Sequence, residues 1–268
     1  MYSGTTLHNK SGNLMGAHQK FDRVARKKLA ELRPDSNFPD ARLILHFEGN
    51  NGPDGVKRKS AGTDEPWHFW DPTNPEDTVL ITVIAEHYNK LVEALSHQNE
   101  EKAAFEAAWL AHAVVDGLTP AHHYPYEAKL TELRGEGNET RTSFKKKVVI
   151  TGDTKRQTLQ KNWQMWGAKG LLMSHAFFEF GVSSISRPLK FKKLHFTNPD
   201  VRHVKNIGIE AFMKELALEI YELNMYERFL KRGWTLKLSK DTRRHLAPKI
   251  VTAITLLWVL AYDEARSK

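Results

Sequence analysis

The sequence predicts an all-α fold, a single-domain helical bundle whose helices are joined by long loops. Three observations support that class. Apolar residues recur at three- and four-residue spacing in several separate segments. No stretch alternates apolar and polar residues convincingly over the length of a strand, and no internal repeat is visible. With 268 residues, 40% of them apolar and seven of them Trp, the chain can bury one sizeable core, so one domain over residues 1–268 is expected.

The elements follow in order. Leu14, Ala17, Phe21, Val24, Ala25 and Leu32 share a helical face that Pro34 closes, which predicts a first helix over about 14–33 with His18 one residue from its apolar side. Residues 34–76 are rich in Pro, Gly, Asn and Asp and read as long loops around a short apolar piece, Arg42 to Phe47. Loops of that length usually have a task. Helical period returns over 77–97 and 99–116, with Asn99 as the cap of the second segment, and these two read as an antiparallel pair. Residues 126–156 mix charge with a short β-prone run, VVIT, and read as an irregular, partly mobile excursion. Further helices are expected over about 156–182, 200–231 and 240–265, the last with Ile250, Ile254, Leu257, Trp258 and Ala261 on one face.

Composition narrows the function. Net charge is +8, which favours anionic partners: phosphate head groups, nucleic acid or a membrane surface. There is no cysteine, so a metal site must be built from His, Asp and Glu, and thirteen His are present. No run approaches the roughly 18 apolar residues needed to span a bilayer. The start, MYSGTTLHNKSGNLMG, lacks a basic end followed by an apolar stretch, so the reading is a cytoplasmic chain or the processed form of a longer one.

The chemical signal is AHAVVDGLTPAHH. His112 and Asp116 stand at i, i+4 and project from one helix face, about 5–6 Å apart at Cβ. Gly117 and Pro120 then turn the chain so that His122 returns an imidazole to the same neighbourhood. A second such pair is His175 and Glu179. A surface ion pair explains that spacing equally well, but both pairs lie in strongly apolar sequence, where an unpaired carboxylate costs several kcal/mol without a cation or hydrogen bonds.

These residues resemble the bacterial zinc-dependent phospholipases C, which include the phosphatidylcholine-hydrolysing enzymes and the catalytic domain of clostridial alpha-toxins. The H-x-x-x-D-x-x-x-P-x-H pattern is met by His112, Asp116, Pro120 and His122, and H-x-x-x-E by His175 and Glu179. A loop of the form H-F-aromatic-D-P is met by His68, Phe69, Trp70, Asp71 and Pro72, with Asp54 fourteen residues before the His. His18 resembles the first-helix histidine, and residues 240–265 resemble the closing helix, so the likeness touches almost the whole chain. It implies one zinc held by Asp54, His68, His112 and Asp116, a second by His122, His175 and Glu179, and a third by His18 with Asp116 bridging. Two zinc ions are expected on this basis, with the third as an addition. It further implies phospholipid cleavage to diacylglycerol and a phosphorylated head group, with Asp54 as general base as well as ligand.

The sequence departs from that family in two places. The third zinc is completed there by an amino-terminal Trp, whereas here Met1 stands seventeen residues before His18, and His8 or a trimmed terminus is the candidate replacement. Fifty-three residues separate His122 from His175, far more than in the family's short members, so an insertion lies at about 123–174. It holds ten Lys or Arg against five Asp or Glu, and reads either as a solvated surface loop or as a basic lid that meets phosphate-bearing substrate or the membrane surface. No counterpart of the toxins' carboxy-terminal membrane-binding β-domain is expected within these residues.

Two rival functions stand beside the phospholipase. Single-strand-specific nucleases share this scaffold and would suit a basic chain, although their second pair usually ends in Asp where Glu179 stands. A zinc-stabilised binding protein without catalysis would keep the same ligands. His46, His87, His97, His195, His203 and His245 lie outside the motifs and are expected at the surface or in the core. His123 should point away from the site, and Trp67, Phe69 and Trp70 are either core or a wall of the cleft.

Overall fold

The computed structural model describes residues 16–268, so Met1, His8 and Leu14 lie outside the described residues. Within them the chain is all-α, and no strand occurs. The first helix, α1 (Ala17–Leu32), is followed by the short α2 (Ala41–His46) and α3 (Pro53–Lys59). Residues expected as loops thus contain two helices, each started by local chemistry that periodicity does not register. The Asp40 side chain accepts from Leu43 N at 2.7 Å to cap α2, and Pro53 opens α3 at a position that needs no N–H donor.

The antiparallel pair is present as α4 (Val79–Ser96) and α5 (Glu100–Gly117), packed along each other, with the Asn99 side chain accepting from Lys102 N at 3.1 Å. Helix α5 is buried on most of its circumference, thirteen of its 18 residues being enclosed. Ala103, Ala104, Ala107, Ala108 and Ala111 let neighbouring helices approach closely, which puts His112 and Asp116 at the centre of the molecule.

The 126–156 segment is more ordered than expected. It holds α6 (Tyr126–Arg134) and α7 (Phe144–Val148), and VVIT forms no strand. Ile150 is buried and its N–H donates to Asn162 Oδ1 at 3.1 Å. Two buried arginines staple the segment: Arg134 donates to the carbonyls of Lys146 and Lys147, and Arg141 pairs with Glu127 at 2.7 Å. Gly62 receives it, since a Cβ there would sit 2.1 Å from Asn138 O.

Helix α8 (Lys155–Trp166) follows, and Gly167 to Gly170 separates it from α9 (Leu171–Ser186). Gly181 lets α9 lie directly on the Trp234 ring, where a Cβ would come within 2.0 Å. The 200–231 stretch is three helices, α10 (Asn198–Ile207), α11 (Ile209–Tyr221) and α12 (Met225–Arg232), broken at Gly208 and Asn224, which take φ of +83° and +49°. The short α13 (Leu236–Asp241) leads through a π turn into α14 (Ala247–Ala265).

Helix α14 packs on α1, α4 and α5, and Trp258 Nε1 donates to Ala107 O at 3.1 Å. Fourteen of its 19 residues are buried, so it is enclosed rather than one-faced. Among the described residues, the segment Leu236–Ala265 is long and apolar enough to cross a membrane, but 78% of its most apolar window is buried inside the fold. It is the core helix.

Candidate metal centre

Five elements deliver the site. Helix α1 brings His18, α3 brings Asp54, the loop before α4 brings His68, α5 and the turn after it bring His112, Asp116 and His122, and α9 brings His175 and Glu179. All eight residues singled out from the sequence converge. Asp116 is their centre: Oδ2 lies 2.5 Å from His68 Nδ1 and 3.3 Å from His112 Nε2, while Oδ1 lies 3.3 Å from His122 Nδ1 and 3.6 Å from His18 Nε2. Asp54 Oδ1 is 3.8 Å from His112 Nε2. Beside them, Glu179 Oε1 stands 2.8 Å from His122 Nε2 and 2.9 Å from His175 Nε2.

Among the described residues, three sets of ligand atoms lie within 4.8 Å of one another: Asp54 with His68 and His112, His122 with His175 and Glu179, and His18 with Glu48 and His112. The second is the set read from the sequence, and the first is the other expected set without Asp116, which lies beside it. The third replaces the expected set of His18 and Asp116 with one that includes Glu48, although Asp116 stays in reach of His18.

Hydrogen-bond accounting tests whether these groups fit a cation. His122 Nδ1 faces the His68 carbonyl at 2.7 Å and Asp116, and its Nε2 faces Glu179; all are acceptors. A neutral imidazole has one proton for two such faces. Burial holds the His122 pKa down at about 4 against the opposing pull of Asp116, so a second proton is not retained near neutrality. With Nδ1–H donated to the carbonyl, the Nε2 lone pair points at a carboxylate, a contact that a metal ion resolves. Among the described residues, Nε2 of His68 and Nε2 of His112 are likewise buried without a hydrogen-bond partner. Nitrogen and carboxylate donors of this type suit a divalent transition metal.

The electrostatics agree. Burial lowers the pKa of His68, helped by Lys57, and of His18, helped by His112, which leaves both imidazoles neutral as ligands must be. Burial alone would raise the carboxyls of Asp116 and Glu179, yet neighbouring positive charge, to which the surrounding imidazoles contribute, holds both well below the usual range. His112 is the exception: burial lowers its pKa, but Glu48 and Asp116 more than reverse that.

Glu48 was not singled out from the sequence, nor was Asp22. Glu48 is fully buried, with Oε2 3.3 Å from His112 Nδ1. Asp22 is 1% exposed, neither of its carboxylate oxygens has a hydrogen-bond partner among the described residues, and burial with the neighbouring Glu48 raises its pKa well above the ordinary value. A signal for Asp22 existed, because it stands four residues after His18 and repeats the spacing of His112 and Asp116. Glu48 had none, since only the return of the chain after α2 brings it there.

The centre floors a cleft of about 910 Å³. Asp54, His68, His122, His175 and Glu179 line its base, and the 123–174 insertion supplies one wall with Tyr126, Leu130, Arg141, Phe144, Val148 and Met165. Phe69 also faces the cleft and stacks on Tyr126, with ring centroids 5.2 Å apart, whereas Trp70 is core. His123 points away and donates to Gly117 O at 2.9 Å. His87 pairs with Glu106 at 2.5 Å, nearer the start of α5 than His112 and Asp116. In the comparisons with known proteins, the chain matches no protein-family model and no curated protein.

Proposed function

We propose that this chain is a zinc-dependent phosphodiester hydrolase acting on phospholipid in the manner of a phospholipase C. The observation that carries this reading is the gathering of His and carboxylate donors into adjoining sets at the floor of one cleft, with acceptor atoms facing both nitrogens of His122. Asp54, His68 and His112, with Asp116 beside them, would hold one metal; His122, His175 and Glu179 would hold another. When bound there, a divalent metal would supply Lewis-acid stabilisation for charge on a phosphate ester and would lower the pKa of a coordinated water towards neutrality.

The protein's own groups do the rest. Asp54 is 30% exposed and lines the cleft, so it is the inner carboxylate placed to receive a proton from attacking water as well as to bind metal. Burial opposes its ionisation, but His112 and His68 hold its pKa below the usual range, which favours the ligand role over the base. Lys57, above the Phe69 ring at 5.1 Å, adds positive charge for a phosphate. Leu130, Val148, Met165 and Leu172 give the cleft an apolar wall suited to acyl chains.

The test pairs two substrates and two variants. Zinc-loaded protein should hydrolyse short-chain phosphatidylcholine and leave single-stranded DNA intact, and His112→Ala and Glu179→Ala should each lose zinc together with activity. Cleavage of the DNA alone transfers the site to a nuclease. Full zinc content without hydrolysis of any phosphodiester leaves a metal-stabilised binding protein.

A further inference from the structure

Several large apolar side chains are exposed on the helices that supply the cleft lining. Leu159 and Trp163 on α8 are 73% and 72% exposed, Phe144 on α7 is 60%, and Phe180 on α9 is 66%. Leu159, Trp163 and Trp166 share one face of α8 at i, i+4 and i+7. That face joins the cleft through Trp166, whose Nε1 donates at 2.7 Å to the carbonyl of Val148, a residue of the apolar wall. Gly167 closes the end of α8, where a Cβ would come within 2.5 Å of the Trp163 carbonyl and 3.1 Å of its ring.

Charge on this segment is one-sided. Between Glu139 and Glu179 the only acidic residue is Asp153, against eight Lys or Arg. Arg141 and Lys147 are spent on Glu127 and Glu65, and Lys161 donates to Arg134 O, but Lys145, Lys146, Lys155, Arg156 and Lys169 are exposed. Aromatic and aliphatic side chains flanked by lysines form the pattern that seats a protein in the head-group layer of an anionic membrane.

We propose that the rim formed by Phe144, Leu159, Trp163, Trp166, Phe177 and Phe180 docks on an anionic phospholipid surface, with the cleft facing the lipid. The orientation rests on the phospholipase reading; the docking itself does not require turnover. A nucleic-acid platform would use the same lysines, but Leu159 has no ring for a base to stack on, and the rim runs into an apolar wall rather than a polar groove. The basic insertion is therefore neither a solvated loop nor only a lid.

The experiment uses the full zinc-loaded chain, vesicles of phosphatidylcholine with and without phosphatidylglycerol, and a single-stranded oligonucleotide. Leu159→Ser/Trp163→Ser and Lys145→Glu/Lys146→Glu change exposed side chains outside the cleft. The first should lose at least about tenfold in vesicle binding on both compositions. The second should lose at least about twenty-fivefold on the anionic vesicles, about fivefold for each Lys lost with repulsion from the new carboxylates in addition, and little on the neutral ones. Hydrolysis of a soluble monomeric phosphodiester should stay within about twofold in both. Vesicle binding unchanged in both variants, or absent from the parent, overturns the proposal, as does dependence on these side chains for the oligonucleotide alone. Variant-sensitive vesicle binding by a protein that hydrolyses nothing upholds the docking surface and removes the proposed reaction.

Discussion

The two ends of the histidine cluster differ in depth. His18, Glu48 and His112 are 0, 0 and 2% exposed, whereas His122, His175 and the Glu179 side chain open on the cleft at 5, 9 and 15%. The inner end has carboxylates stacked behind its ligands, with Glu48 on His112 Nδ1 and Asp22 beyond it. The outer end has aromatic rings instead, Phe69 and Tyr126 lying 6.0 and 5.2 Å from His175. On the proposed reading, one end would hold geometry and the other would meet substrate. A ligand braced by a carboxylate keeps its orientation and basicity, whereas a ligand framed by rings leaves room for an incoming phosphate.

Breaking that contrast at its centre should have the largest effect. His112→Ala removes a donor common to both inner sets, and activity on a soluble phosphodiester should fall by about a thousandfold or more with loss of inner metal. Glu179→Ala should remove only the outer metal, leaving the inner content intact and activity down by about a hundredfold. Equal metal loss in the two variants would mean that the ends are one site.

Glu48→Gln sharpens the comparison. The inner set should bind metal roughly 10–100-fold more weakly, while the outer set stays within about twofold, as read by competition with a chelator. Uniform weakening would deny Glu48 its role behind His112. The smallest effect concerns His123, which adjoins a ligand without being one. Burial holds its folded pKa at about 4, below the ordinary 6.5. The unfolded chain therefore gains a proton that the folded chain refuses as pH falls below 6.5, and stability is lost in that direction. The His123 share is about 1 kcal/mol between pH 6.5 and 5.5. His123→Gln, which can still donate to Gly117 O, should flatten the metal-free protein's stability profile in that window by about that amount.

Much of this was legible from residue spacing. The i, i+4 pairs placed their ligands because a helix turn fixes that separation whatever surrounds it, and Pro120 marked the turn that returns His122. What spacing could not convey was tertiary return: Glu48 reaches His112 across sixty-four residues. The charged sequence of the insertion concealed its order, because Arg134 and Arg141 are indistinguishable in sequence from surface cations yet are buried on carbonyls and on Glu127. Breaks at Gly208 and Asn224 were missed because apolar periodicity runs on through both, while the backbone turns through positive φ.

The central claim is that separate donor sets each hold a metal ion over one cleft. Anomalous diffraction at the zinc edge from crystals of the zinc-loaded protein tests it directly. The expected map has one peak among Asp54, His68 and His112 and another among His122, His175 and Glu179. A map without a peak at either set, from protein that is folded and zinc-saturated in its buffer, would contradict the account.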